Sequence, residues 1–161
     1  MSATLLVRKF YHWLDDLIKY AIVIVFLVMV ITGLAQVFNR YILNQSLSWG
    51  EELQKFSHIW LIFLTIPVAY RNKAHLGMNL VYRKMPKHQR YIFDLVIHLL
   101  WLFFGAVLIL ITTDLVHIGA LQRSPGLGIK MSWVYSGIII GNAYLVLTAL
   151  KNLISHVRSS A

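Results

Sequence analysis

The side chains that could do chemistry in this chain are few, and the most conspicuous stand in the segment SLSWGEELQKF at residues 46–56. There Glu51 and Glu52 lie side by side before the apolar run SHIWLIFLTIPVAY. Ser48 and Glu51 have the S-x-x-E spacing of a capping box, in which serine and glutamate oxygens accept amide hydrogens of the first helical turn. Glu52 points about 100° away around the helix, so we expect it to pair with Arg40 or to contact a basic group on a partner protein.

A second candidate is the pair Asp94 and His98, four residues apart and therefore on one face of a helix. Such a couple could relay protons, but it lies within the first two turns of its apolar segment, at the level of the interface, where a mutually paired couple is the simpler interpretation. Haem would need two imidazoles at one depth on facing helices. His58 and His98 differ in depth by about 6 Å or more at about 1.5 Å per residue, so we predict no cofactor, with a four-helix membrane cytochrome b as an alternative.

The elements that position these residues follow from composition. The 161 residues are 58% hydrophobic and 13% charged, with a mean hydropathy of +0.67, which is typical of an integral membrane protein. Windows long enough to cross the hydrocarbon layer are found at about 20–38, 49–70, 91–113 and 132–150. Continuous apolar runs of this length are helices, since backbone groups in lipid must pair within their own segment. We predict an all-α fold of four transmembrane helices in a single membrane domain, 1–161.

A short amphipathic helix precedes the first span at about 4–18. Its apolar side chains recur at helical spacing and its charged ones occupy the other face. We expect this helix to lie on the membrane surface. Residues 75–85 have a similar composition and are a weaker candidate for the same arrangement.

Orientation follows from the cations. Of the 15 Lys and Arg residues, eleven belong to the two termini and the loop at 71–90, and four to the other side. This asymmetry predicts that both termini and the middle loop are cytoplasmic. The net charge of +9 is then explained by topology and by phospholipid head groups rather than by nucleic acid.

Polar and small residues inside the spans limit the possible functions. Gln36 and Asn142 can hydrogen-bond between helices, and Gly137 with Gly141 forms a G-x-x-x-G pattern that lets a helix of this chain or of a partner approach closely. The centre of the first span contains no ionisable residue, which argues against a self-sufficient small carrier. That carrier remains the second alternative.

An ordered set of residues carries a resemblance to a known family. It consists of Arg40-Tyr41, Ser48-Trp49-x-Glu51-Glu52-Leu53, Trp60 in an aromatic-rich second span, Arg71 and His75, and SPGLGIKMSWVY before the fourth span. In this order the chain resembles the DctQ family, the small membrane subunit of tripartite ATP-independent periplasmic (TRAP) transporters.

The resemblance implies a transporter component of the bacterial inner membrane rather than an enzyme. In that family a periplasmic binding protein delivers an organic acid, of the sialic acid or dicarboxylate class among others, to a large subunit of many helices. The large subunit holds the sodium and substrate sites, and the small subunit serves as its scaffold. We therefore expect Arg40, Trp49, Glu51, Glu52 and Trp60 to organise the periplasmic hairpin or a partner interface.

Overall fold

The computed structural model describes residues 2–72 and 86–158. Four helices make up this part of the chain: α1, Ser2–Tyr41; α2, Ser48–Arg71; α3, Lys87–Gly119; and α4, Met131–Arg158. Each predicted span lies within one of these helices, and the predicted all-α fold is confirmed for the described residues. The one departure from helix and loop among them is an isolated antiparallel bridge between Arg123 and Lys130, just before α4.

Helix α1 runs without a break through both the predicted surface helix and the predicted first span. No proline or glycine separates the two segments, and Lys19 stabilises the junction through an ion pair with Asp15 at 2.7 Å. A helix of 40 residues is about 60 Å long, twice the hydrocarbon thickness. The amphipathic beginning of α1 is therefore part of one continuous helix that is longer than a single crossing of the lipid layer requires, and its position on the membrane surface stays a prediction.

Three of the described helices are long and apolar enough to cross a membrane, at Tyr11–Tyr41, His88–Gly119 and Met131–Arg158. Helix α2 has 24 residues, which is long enough to cross a membrane. Its first turns, however, carry the charged residues Glu51, Glu52 and Lys55. The fourth span and the shared side of the two termini stay predictions.

Labelling of single cysteines tests whether α2 crosses the membrane, since the chain has no cysteine of its own. Gln45 precedes α2 and Asn72 follows it, and both are exposed. We expect a membrane-impermeant maleimide added to intact cells to label Q45C and to spare N72C, with the reverse in inside-out vesicles. Labelling of both variants from the same side would show that α2 does not span.

By contacts the described chain belongs to two compact units, Met1–Leu61 with Ser124–Gly128 and Ile62–Arg123 with Ile129–Ala161. In the second unit α3 and α4 pack along one another, and Tyr70, Leu145 and Ala149 form a buried core with Trp101 and Leu102 against it. In the first unit most of α1 stays uncovered. Of its described apolar side chains, Ile18 alone is buried.

Candidate functional site

The carboxylate of Glu52 binds a loop of its own chain. It accepts a hydrogen bond from the Ser124 hydroxyl, from the Gly126 backbone N–H at 3.0 Å and from the Leu127 backbone N–H at 3.0 Å. Ser124 is only 3% exposed. Hydrogen bonds to an ionised acceptor are shorter and stronger than neutral ones. We call this arrangement, which lies wholly within the first unit, the Glu52–loop contact.

The loop sequence SPGLG explains why its donors converge on one carboxylate. A turn closes from the Gly128 N–H to the Ser124 carbonyl at 2.9 Å, and Gly128 adopts the left-handed conformation, with φ of 69°, that glycine tolerates best. A side chain at Gly126 would meet Glu52 Oε2 at 3.0 Å and the Trp49 Cα at 3.1 Å. Successive N–H groups in such a turn form a concave site for an anion, and Glu52 supplies that anion.

The structure thus gives Glu52 a partner that neither sequence alternative named. Arg40 is exposed near the end of α1, and among the described residues no ion pair joins it to Glu52. Sequence reasoning missed Ser124, Gly126 and Leu127 as ligands of the carboxylate. The signal that could have found them is the run of Ser and two Gly in SPGLG, on the side of the predicted topology that also carries Glu52.

Glu51 does not form the predicted capping box. Ser48 is the first residue of α2, and the first turn closes from the Gly50 N–H to the Leu47 carbonyl at 3.1 Å. Within residues 2–72 and 86–158 neither the Ser48 hydroxyl nor the Glu51 carboxylate makes a hydrogen bond. Because Ser48 is already helical, it is not placed as a capping residue, and Glu51 stays exposed. Two neighbouring glutamates therefore have quite different surroundings.

The two tryptophans of the predicted hairpin group differ in exposure. Trp49 is 41% exposed. Its backbone lies against Gly126, so Trp49 packs beside the Glu52–loop contact. Trp60 is half-buried on α2.

A polar and aromatic cluster joins three helices in the second unit. The Tyr70 hydroxyl and His98 Nδ1 share a hydrogen bond of 2.6 Å, and the Tyr70 ring lies 5.5 Å from that of Trp101. The His156 ring stacks on Tyr91 at 4.5 Å, and its Nε2 lies 3.2 Å from the Tyr91 carbonyl oxygen. These contacts fix the end of α2 and the end of α4 against the beginning of α3.

Arg71 and His75, which the sequence predicts to lie on the cytoplasmic side, stand at the edge of the described chain. Arg71 is the last residue of α2 and is half-buried, directly after Tyr70 in the cluster. His75 lies outside the described residues. For His98, the sequence named Asp94 as the partner, and the structure adds the Tyr70 hydroxyl at Nδ1.

Three of the helix-packing candidates, Gly137, Gly141 and Asn142, lie on α4. A Cβ on Gly141 would clash with the Phe63 carbonyl oxygen and would lie 2.6 Å from its carbonyl carbon. The helix that Gly141 approaches is therefore the chain's own α2. Gly137 is also buried. Asn142 is 2% exposed, and its amide donates to the Ile138 carbonyl at 2.8 Å, within α4 rather than across to another helix.

Comparison with known protein families gives a match to one family, and the match covers most of the chain. The model of the DctQ component of tripartite ATP-independent periplasmic transporters matches residues 29–159. This range includes the Glu52–loop contact, the Tyr70–His98 hydrogen bond and Gly141.

The individual proteins that are similar to this chain are named as permease proteins of TRAP transporters. A putative TRAP transporter small permease protein of Haemophilus influenzae is 20% identical over 159 residues, which cover 95% of this chain and 93% of that protein. The sialic acid TRAP transporter small permease protein SiaQ of Vibrio cholerae is 21% identical over 118 residues, covering 73% of this chain and 68% of SiaQ. An isethionate TRAP transporter permease protein, DctMQ, of Oleidesulfovibrio alaskensis is 24% identical over 112 residues, covering 68% of this chain but 18% of that protein.

Proposed function

The chain belongs to the DctQ component family of tripartite ATP-independent periplasmic transporters, and from this premise we propose that it scaffolds the large membrane subunit of a sodium-driven importer of an organic acid. In this role it anchors the large subunit, which has many helices and carries the transport sites. A periplasmic binding protein is the third partner and delivers the substrate. The chain itself is a membrane component of a transporter.

The observation that carries the scaffold role is the uncovered apolar surface of α1. Large hydrophobic side chains are exposed around the helix, among them Ile24, Ile31, Leu34 and Phe38. Within the second unit, close contacts such as Gly141 against Phe63 and Tyr70 against His98 hold the helices together. A long uncovered apolar helix surface suits a subunit that is held in lipid and against another membrane protein.

The proposed substrate class rests on the relatives. One is named for sialic acid and another for isethionate, and both compounds are small organic anions. We propose an organic acid for the present system as well, with sialic acid or a dicarboxylate as the first compounds to try.

The proposed location is the bacterial inner membrane, with phospholipid on the flanks and both termini in the cytoplasm. The excess of cations in the termini and the loop at 71–90 supports this orientation. It places the Glu52–loop contact at the periplasmic surface, where a binding protein would dock. Arg71 and His75 would then belong to the cytoplasmic side.

Family membership favours this role over the two alternatives, a self-sufficient four-helix carrier and a four-helix cytochrome b. The most direct test is to purify a tagged copy from mildly solubilised native membranes and to identify what accompanies it by mass spectrometry. We expect a many-helix membrane protein in near-equal amount. Uptake by this chain expressed alone, or a haem absorption band in the purified protein, would contradict the proposal.

A further inference from the structure

Two glutamines of the first unit lie over glycines of the facing helix. A Cβ on Gly50 of α2 would lie 3.0 Å from Nε2 and 3.1 Å from Cγ of Gln36, which belongs to α1. In the reciprocal pair, a Cβ on Gly33 of α1 would lie 3.0 Å from Nε2 of Gln54 on α2. Each amide therefore rests against the bare backbone of the other helix.

Neither amide has a hydrogen-bond partner in the part of the chain that the structure describes, and the hydroxyl of Ser57 has none there either. Ser57 is nonetheless only 8% exposed. Thr32 on the same side of α1 satisfies its hydroxyl with the Val28 carbonyl at 2.8 Å. We call Gln36, Gln54 and Ser57, with the two glycines beneath them, the amide seam.

The depth of the amide seam makes its open hydrogen-bonding groups costly. Gln36 precedes the end of α1 at Tyr41 by five residues and Gln54 follows the start of α2 at Ser48 by six, which corresponds to about 7 to 9 Å along a helix. In the proposed topology Gln36 lies within the first span and Gln54 within the second. Lipid chains offer no donors or acceptors, and an unpaired amide in such surroundings is strongly unfavourable.

The seam also differs from the rest of α1. Between Tyr20 and Phe38 the other side chains are apolar, apart from Thr32, whose hydroxyl is already bonded. Lipid chains can cover those apolar side chains because they contain no unpaired hydrogen-bonding group. The groups that cover the seam must themselves form hydrogen bonds.

We propose that the amide seam docks a helix of the large membrane subunit that presents hydroxyl, amide or free backbone carbonyl groups to the half-buried amides of Gln36 and Gln54. This inference rests on the proposed function, because it names the surface through which the scaffold holds its partner. Polar side chains that bond across helices fix which helices meet and in what register. Lipid covers the remaining apolar surface of α1.

The test replaces both seam amides by methionine, which is close to glutamine in length and volume. The matched control makes the same change at two exposed glutamines outside the seam, Gln45 and Gln122. Each tagged variant is purified from native membranes, and the large subunit retained per tagged chain is measured. We expect Q36M/Q54M to reduce retention about tenfold, the loss of two interhelical hydrogen bonds, while Q45M/Q122M retains the wild-type amount.

A second measurement is the thermal unfolding of each tagged chain purified alone in detergent. We expect the seam variant and the control to unfold at similar temperatures. If both variants retain the same amount of the large subunit, the proposal is overturned. It is also overturned if the isolated seam variant is so much less stable that unfolding accounts for its lower retention of the large subunit. If the wild-type chain retains no large membrane protein, the proposed function fails first, which distinguishes the two failures.

Discussion

Replacing Gly141 by alanine is expected to destabilise the chain more than the same change at Gly33, Gly50, Gly105, Gly119 or Gly126. The new Cβ would clash with the Phe63 carbonyl oxygen and would lie 2.6 Å from the carbonyl carbon. Backbone atoms cannot rotate away, so α4 and α2 must separate. Overpacking of a closely packed interior costs about 1–3 kcal/mol, and we expect G141A to lie at or above the upper end of that range.

The measurement is the thermal unfolding of purified protein in detergent, together with the fraction that elutes as a single species. Gly105 provides the matched control, because a Cβ there would meet Val146 Cγ2 at 2.9 Å, the end of a side chain that can change rotamer. G105A should therefore cost much less than G141A. Equal effects of the two substitutions would show that α2 and α4 do not approach one another as closely at Phe63 as the structure indicates.

The helices themselves could be predicted because their signal is local. A run of about twenty apolar residues predicts a span wherever it stands, and each predicted span falls inside one of α1 to α4. The continuity of α1 was harder to predict, since the change from an amphipathic to a fully apolar pattern near Lys19 resembles an element boundary. No helix-breaking residue stands there, and a helix continues through a change of surroundings.

The partners of the site residues could not be predicted, because they depend on contacts between distant parts of the chain. Glu52 and Ser124 are 72 positions apart, and charge alone favoured Arg40 over a neutral loop. The sequence also left open which helix Gly141 approaches. A small-residue pattern shows that a close approach is possible, but only the packing of α4 against α2 identifies the partner as Phe63.

Replacing Glu52 by glutamine is expected to release the loop at Ser124–Gly128 and to lower uptake several-fold while the chain still inserts into the membrane. The substitution keeps the size of the side chain but removes the charge and turns one acceptor oxygen into a donor. The N–H groups of Gly126 and Leu127, now 3.0 Å from the carboxylate, would lose an ionised acceptor. Glu52→Ala removes the acceptors altogether and should have the larger effect, whereas Ser124→Ala removes one donor and should have the smaller.

Loop release can be measured separately from uptake. A cysteine at Leu127 leaves the backbone donor in place, and its reaction rate with a maleimide reports how firmly the loop is held. We expect a faster reaction in E52Q than in the wild-type background. Uptake is then measured with the whole transporter, using the substrate identified by its binding protein.

Glu51→Gln is the matched control, since it makes the same change in the adjacent residue of the same helix turn. Glu51 is exposed and makes no hydrogen bond within the described chain, so E51Q should leave both the maleimide rate and uptake unchanged. If the two variants behave alike, the effect arises from the charge of this end of α2 in general. If E52Q alone loosens the loop and lowers uptake, the carboxylate acts by holding the loop at Ser124–Gly128, and transport requires that loop to be held.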